Sequence, residues 1–104
     1  MRPIRWQESA ALEAEKAAAY YDEHSEGGGA RFGEQLRAAI DLVREYPEAG
    51  APYGLPFRRV VFRSYPYSVV YRPEPDAILV IAVKHDRMMP VAWESLLSNP
   101  DAAE

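Results

Sequence analysis

The fold is decided by the stretch from Phe57 to Arg72, which reads FRRVVFRSYPYSVVYR. Valine, phenylalanine and tyrosine dominate it, and β-branched and aromatic residues favour strands. The Ser64-Tyr65-Pro66 segment interrupts the run and leaves room only for a tight turn. The sequence therefore predicts two strands, Phe57–Arg63 and Tyr67–Arg72. Because their connection is so short, they should pair antiparallel.

A third strand is predicted on the C-terminal side of this pair. The segment Pro73–Asp76 is rich in proline and acid and favours a turn, and the apolar run Ala77–Val83 follows it. This run is apolar on both faces, so we place it in the interior of the sheet, with helices packed on one side. The residues from Pro3 to Trp6 are a weaker candidate for an additional strand. Gly50–Pro56 reads as a loop.

The first half of the chain favours helices. Ser9–His24 holds strong helix formers without Gly or Pro, and Ser9 is a candidate N-cap. Gly27-Gly28-Gly29 predicts a turn, and a second helix runs from about Ala30 to Tyr46, ended by Pro47. Each helix carries an apolar stripe at spacings of three and four. The stripes are Ala10, Ala14, Ala17 and Tyr21 in the first helix, and Phe32, Leu36, Ala39, Ile40 and Val43 in the second.

These elements define an α+β fold in which an antiparallel helix hairpin packs on a small twisted antiparallel sheet. The 104 residues suffice for one domain, residues 1–104, with a core of about 8–97. A short C-terminal helix is predicted from Val91 to Leu97, with Trp93 packing it onto the sheet.

Composition excludes several classes of site. Cysteine is absent, so disulfides and thiolate metal sites are excluded. His24 and His85 lie in different elements without a metal-ligand spacing, and we expect no metal or cofactor. The longest apolar run is too short for a membrane span, and the N-terminus lacks a signal-peptide core. We therefore expect a cytoplasmic protein without a membrane partner.

Charge is distributed unevenly along the chain. Glu8–Glu48 holds ten acids and four bases, whereas Phe57–Arg87 holds six bases and three acids. The basic side chains of the second half, together with a histidine, are Arg58, Arg59, Arg63, Arg72, Lys84, His85 and Arg87. They could hold phosphate oxygens with His85 as a proton-transfer group. The simpler interpretation, which we favour, is that they are solvated on a sheet face or pair with acids of a partner.

Three ordered segments resemble the RelE/ParE family of bacterial toxins. They are Tyr46-Pro47-Glu48-Ala49-Gly50, the stretch Arg58–Arg72, and Val83–Trp93 with its H-x-R-x-x-P-x-x-W pattern. With the alanine-rich helix ending in Tyr20-Tyr21, the resemblance covers roughly residues 10–93. It implies two helices on a twisted antiparallel sheet and a toxin neutralised by a cognate antitoxin.

The resemblance implies one of two activities. RelE-like members cut messenger RNA on the ribosome without a metal, and ParE-like members bind DNA gyrase. Ser68 stands where the RNA-cutting relatives carry a phosphate-binding arginine, and the pI near 5.2 suits an RNA-lined site poorly. We therefore rank gyrase inhibition first, ribosome-dependent cleavage second, and an inert member that only binds its antitoxin third.

Site residues and partners follow from this ranking. A nuclease would use Arg59, Arg63, Arg72 and His85. Binding of the target or the antitoxin would use Arg58, Arg59, Arg63, Arg72, Lys84, His85, Arg87 and Trp93. The expected partners are the antitoxin, in a hetero-oligomer, and gyrase or the ribosome, with operator DNA reached only through the antitoxin.

Overall fold

The predicted strands and helices form in a computed structural model that describes residues 2–88. The strands are β1 (Ile4–Trp6), β2 (Ala51–Pro52), β3 (Arg58–Val61), β4 (Tyr67–Pro73) and β5 (Ile78–His85). The helices are α1 (Glu8–His24) and α2 (Gly28–Glu45), and a 3-10 turn, Asp86–Met88, follows β5. The predicted tail helix Val91–Leu97 and Trp93 lie outside the described residues.

The strands form one five-stranded sheet in the order β1-β5-β4-β3-β2. The α+β class is confirmed, and β5 lies in the interior of the sheet, as its apolar sequence predicts. The sheet is mixed, however, because β1 pairs with β5 in parallel while the other pairs are antiparallel. The chain passes from β1 straight into α1 and returns to β5 only after the hairpin and three strands. A connection of that length permits parallel pairing.

Two strand boundaries differ from the prediction in ways that affect the site. β3 ends at Val61, so Phe62 and Arg63 lie beyond it. β5 continues to His85, so Lys84 and His85 belong to the strand and do not follow it. The predicted loop Gly50–Pro56 contributes β2, a two-residue strand paired with β3.

The helix hairpin forms around its glycine turn. Gly27 has a φ of 70°, a left-handed conformation that favours glycine. A Cβ on Gly28 would lie 2.2 Å from the Tyr21 carbonyl oxygen, so only glycine allows α2 to begin this close to α1. At the other end of α1 the N-cap is Gln7 and not Ser9, which already lies inside the helix.

The core lies between the hairpin and one face of the sheet, termed the helix face. Phe32 is fully buried among the rings of Tyr21, Phe62, Tyr65 and Tyr67. The predicted stripes are confirmed: Ala10, Ala17, Ala39 and Val43 are buried, and Ala14, Leu36 and Ile40 pack against the core while partly buried. This packing fixes the hairpin over β4 and β5.

A buried hydroxyl anchors the loop that follows α2. The Tyr71 hydroxyl on β4 donates a 2.8 Å hydrogen bond to the Pro47 carbonyl and accepts one of 2.9 Å from the Gly50 N–H. Arg58 donates to the carbonyl of Gly50 at 2.8 Å. The Tyr46–Gly50 segment, one of the motifs behind the family resemblance, therefore has a structural role.

Neither helix in the part of the chain from residue 2 to residue 88 has the length and apolar composition needed to cross a membrane.

Candidate functional site

The sheet face turned away from the helices, termed the distal face, holds a closed polar cluster. Alternate residues of a strand point to opposite faces. On β4, Tyr67 and Val69 contribute to the core on the helix face, so Ser68 points to the distal face. Arg59 pairs in register with Val70 and points the same way.

Arg59, Ser68 and Asp86 are joined by three hydrogen bonds, and we term them the distal cluster. Arg59 donates through Nε to the Ser68 hydroxyl at 2.9 Å and through its terminal nitrogen to Asp86 at 3.1 Å. The Ser68 hydroxyl donates to the same Asp86 oxygen at 2.6 Å. The Arg59 guanidinium also lies 5.8 Å from the centre of the Tyr53 ring, within cation–π range. The charge of Arg59 is thus neutralised inside the protein.

Two further predicted cations are also engaged by acids. Arg72 forms an ion pair with Glu74 at 2.6 Å, and Arg5 approaches the same carboxylate at 3.5 Å. Lys84 forms an ion pair with Glu13 of α1. These pairs are partly exposed, so each stabilises the fold only modestly. Their consequence is electrostatic: together with Arg59, three of the six bases between Phe57 and Arg87 are paired with acids.

His85 lies on the opposite side of the sheet from the distal cluster. It pairs in register with Tyr67, and the two rings lie in edge contact with their centres 5.3 Å apart. Its Nδ1 accepts a hydrogen bond from the Arg87 N–H. The predicted grouping of His85 with Arg59 is therefore wrong. The prediction counted His85 as a residue after the strand, whereas the longer β5 fixes its side chain on the helix face.

The remaining predicted nuclease residues are not assembled either. Arg72 lies four residues along β4 from Ser68, roughly 13 Å away at the usual rise per residue. Arg63 was predicted to share a strand face with Arg59, but it lies beyond the end of β3. The four residues Arg59, Arg63, Arg72 and His85 thus lie at separate positions of the fold.

Arg63 instead lies at a groove between α2 and the outer edge of β3, termed the α2–β3 groove. The groove has a volume of about 410 Å³. Its lining residues are Gln35, Ala38, Ala39, Leu42, Val60, Val61, Phe62 and Arg63. Leu42 is 42% exposed and Val61 57% exposed, which is high for large apolar side chains. Within residues 2–88, Arg63 has no ion-pair partner.

The β3 edge beside this groove is only partly covered. β2 pairs with β3 at Arg58 and Arg59 alone. In the part of the chain that the structure describes, no strand pairs with the outer edge at Val60 and Val61. An exposed strand edge next to exposed apolar side chains is a typical site for an added strand or helix from a partner.

Sequence reasoning missed Asp86 of the distal cluster and Tyr53, whose ring lies beside Arg59. Asp86 lies 18 positions from Ser68 and 27 from Arg59. Tyr53 belongs to the Gly50–Pro56 segment, for which the sequence predicted only a loop. Neither has a sequence signal of its own, because both are defined by contacts across the sheet. Among residues 2–88, no three His, Asp or Glu side chains come together as a metal-binding group.

Comparison with known proteins identifies the family of the chain. Residues 4–90 match the family model described as ParE toxin of type II toxin-antitoxin system, parDE. The chain belongs to the ParE toxin family.

The chain is also similar to one named protein in sequence and to one solved structure in fold. The ParE-family chain is 29% identical over 83 residues to a Sinorhizobium fredii protein named "Putative toxin Y4kP", covering 79% of the chain and 85% of that protein. It shares its fold with a solved structure titled "Chromosomal ParDE TA system from P. aeruginosa". That match has a TM-score of 0.59 at 16% identity and covers 82% of this chain and 96% of the other. At this identity the structural match supports the fold alone.

Proposed function

We propose that this ParE-family toxin inhibits growth by binding DNA gyrase and that a cognate antitoxin neutralises it. The observation that supports binding over RNA cleavage is the distal cluster. Metal-free cleavage of RNA needs free cations to neutralise the phosphate and an acid–base group beside the reacting oxygens. In the distal cluster the one guanidinium is paired with Asp86, and His85 lies on the other face.

The identity of residue 68 supports the same conclusion. Ser68 stands where the RNA-cutting relatives carry a phosphate-binding arginine, and it is fully buried with its hydroxyl donated to Asp86. A phosphate approaching this point would meet a carboxylate. Loss of one preorganised transition-state donor costs roughly 10²–10³ in rate, and a nearby negative charge adds to that cost.

The proposal is tested by comparing the two activities with one preparation. Purified full-length toxin is added to gyrase in a supercoiling assay and, separately, to ribosomes translating a defined message. We expect supercoiling to fall with toxin concentration while the message stays intact.

Two outcomes would contradict the proposal. Codon-specific message cleavage that disappears in the His85→Ala variant would make the chain a RelE-like endonuclease. Unimpaired growth of cells that express verified, soluble toxin would leave an inert member that only binds its antitoxin.

For the antitoxin we propose the α2–β3 groove as the principal contact. Its exposed Leu42 and Val61 offer apolar contact. Within residues 2–88, the outer β3 edge at Val60 and Val61 has no strand partner, and Arg63 has no ion-pair partner. These features favour a segment with apolar side chains and an acidic residue. Arg59, which the sequence also suggested for this role, is committed to the distal cluster.

A charge reversal at Arg63 tests this contact. Arg63→Glu should weaken the toxin–antitoxin complex and reduce the salt dependence of its affinity, since an attractive charge pair is lost. Arg37→Glu is the matched control, because Arg37 is also exposed but does not line the groove. Calorimetric titration of the antitoxin into each folded variant measures the effect. Equal affinities for Arg63→Glu and Arg37→Glu would exclude the groove as the charged contact.

A further inference from the structure

A second cleft lies on the other side of the hairpin, where α1 crosses the ends of β4 and β5. We term it the α1–β5 cleft, and its volume is about 270 Å³. Its lining residues are Glu13, Lys16, Ala17, Tyr20, Tyr67, Val83, Lys84 and His85. The four residues from α1 recur at spacings of three and four and therefore share one face of the helix.

Among residues 2–88, Glu13 is the one acidic residue that lines this cleft, and it already has partners. Glu13 accepts a 3.0 Å hydrogen bond from the Val83 N–H at the edge of β5, and its other oxygen pairs with Lys84. This arrangement satisfies an edge N–H that β1 is too short to reach, since β1 pairs only as far as Val80. The Glu13–Lys84 pair is electrically neutral as a unit, and both carboxylate oxygens of Glu13 already have partners.

The other polar groups of the cleft are donors without a partner in the described part of the chain. They are the Lys16 ammonium, the hydroxyls of Tyr20 and Tyr67, and Nε2 of His85. Because the His85 Nδ1 accepts the Arg87 N–H, a neutral His85 ring must carry its proton on Nε2. Burial raises the pKa of the Tyr67 hydroxyl, and the nearby Tyr20 raises it further, so that this group stays protonated as a donor.

Three of these donors, those of Tyr20, Tyr67 and His85, stand on aromatic rings that contact other rings of the fold. Tyr67 packs against Tyr21 and Phe32 in the core, in addition to its contact with His85. Tyr20 is stacked on His24 at a centroid distance of 4.1 Å, and His24 Nδ1 donates to the Tyr20 carbonyl. Ala17 and Val83 supply apolar surface between the rings. The side-chain entropy that is lost when an acceptor binds therefore comes mainly from Lys16 and less from the three rings.

We propose that the α1–β5 cleft binds a carboxylate group on an apolar stem, presented by an acidic residue of a protein partner. One ammonium and three neutral donors suit a single oxyanion, and the aromatic walls suit the stem beside it. The cleft is smaller than the roughly 300–1,000 Å³ of sites that enclose a small molecule, which favours one side chain of a larger partner.

A nucleic-acid partner fits the same surface poorly. Phosphate-backbone binding relies on many basic contacts, and here Lys16 is the one cation of the cleft without an acidic partner among residues 2–88. The outer surface of α1 also carries the exposed acids Glu15, Asp22 and Glu23, which repel a polyanion. A single carboxylate that enters between the tyrosines meets the donors first.

The test uses two peptides that differ in one charge. The isotope-labelled full chain is titrated with acetyl-Phe-Glu-amide and with acetyl-Phe-Gln-amide, and amide chemical shifts are followed by NMR. We expect saturable shifts around Lys16, Tyr20 and His85, with the Glu peptide binding about tenfold or more tightly because charged acceptors form the stronger hydrogen bonds.

Variants and a third titrant complete the experiment. Removing both cleft hydroxyls in a Tyr20→Phe/Tyr67→Phe double variant should weaken the Glu peptide about fivefold or more while keeping the rings. Tyr46→Phe, an exposed tyrosine outside the cleft, is the control. Equal affinity for the two peptides, or an unaffected double variant with an unchanged amide spectrum, would overturn the proposal.

A short DNA duplex that shifts the same amides with steep salt dependence would make the cleft a nucleic-acid contact. None of these outcomes depends on whether the toxin acts on gyrase.

Discussion

The Tyr71 hydroxyl provides the sharpest test of how the sequence positions its functional surfaces. Replacing Tyr71 by Phe removes one oxygen atom and keeps the ring, which is fully buried against Val43 and Ile78. The lost oxygen holds two backbone groups of the loop after α2, the Pro47 carbonyl and the Gly50 N–H. That loop leads into β2, so the substitution probes the support of the β3 edge.

The expected cost follows from the groups that lose their partner. A buried polar group left without a hydrogen bond costs about 1–3 kcal/mol, and here two such groups are affected. Relief of the burial of the hydroxyl itself offsets part of this loss, so we expect the free energy of unfolding to fall by about 2–4 kcal/mol. For a urea slope of about 1.5 kcal/mol/M, a loss of 3 kcal/mol lowers the unfolding midpoint by roughly 2 M.

Urea unfolding followed by circular dichroism measures this change, and Tyr46→Phe is the matched control. Tyr46 is 58% exposed, so its loss of a hydroxyl should alter stability by less than about 0.5 kcal/mol. Hydrogen exchange at the Gly50 amide should accelerate in Tyr71→Phe alone. A stability loss below about 0.5 kcal/mol in Tyr71→Phe, with Gly50 still protected, would refute the anchoring role.

Two further predictions concern the core and its tyrosines. Phe32→Ala should lower the free energy of unfolding by about 3–5 kcal/mol, because burial is lost and a cavity forms among four rings. The control is Leu12→Ala at a half-exposed position, which should change the free energy of unfolding by less than about 0.5 kcal/mol. Similar losses for the two variants in urea unfolding would refute the central place of Phe32 in the core. Burial raises the pKa of Tyr21, Tyr67 and Tyr71 above 10.0 in the fold. The fold therefore favours the neutral phenols, so the contribution of these tyrosines to stability should be constant below about pH 10 and fall as pH rises further. Urea midpoints that stay level from pH 9 to pH 11.5 would contradict it.

The sequence predicted the elements whose periodicity is local. The helix stripes, the glycine turn and the apolar run of β5 are patterns over a few residues, and each led to the observed element. The ends of the strands were harder to predict, because the last residue of β3 and of β5 depends on the backbone pairing with the neighbouring strand. The parallel pairing of β1 could not be predicted, since three residues carry almost no pattern and their partner lies more than 70 positions away.

The site was predicted less well than the fold for a physical reason. Composition showed a basic second half, but the charge available to a partner depends on which acids lie beside each base. Asp86 neutralises Arg59 from 27 positions away, and Glu13 neutralises Lys84 from the other half of the chain. Such pairs depend on the register of the sheet and the placement of α1. Neither can be read from residue spacing.

The same pairs bear on the proposed choice between binding and RNA cleavage. A nuclease site needs cations that are held in place but not already paired with acids, so that they can form ion pairs with the phosphate. In this chain Asp86 and Ser68 accept hydrogen bonds from the Arg59 guanidinium, so Arg59 already has partners within the protein before any ligand binds. Groups that lack partners among residues 2–88 include Arg63 at the α2–β3 groove and Lys16 at the α1–β5 cleft, on either side of the hairpin. One surface offers apolar side chains and a strand edge, and the other offers hydrogen-bond donors between aromatic rings. Both suit contacts with proteins, which is the activity that the proposed function requires.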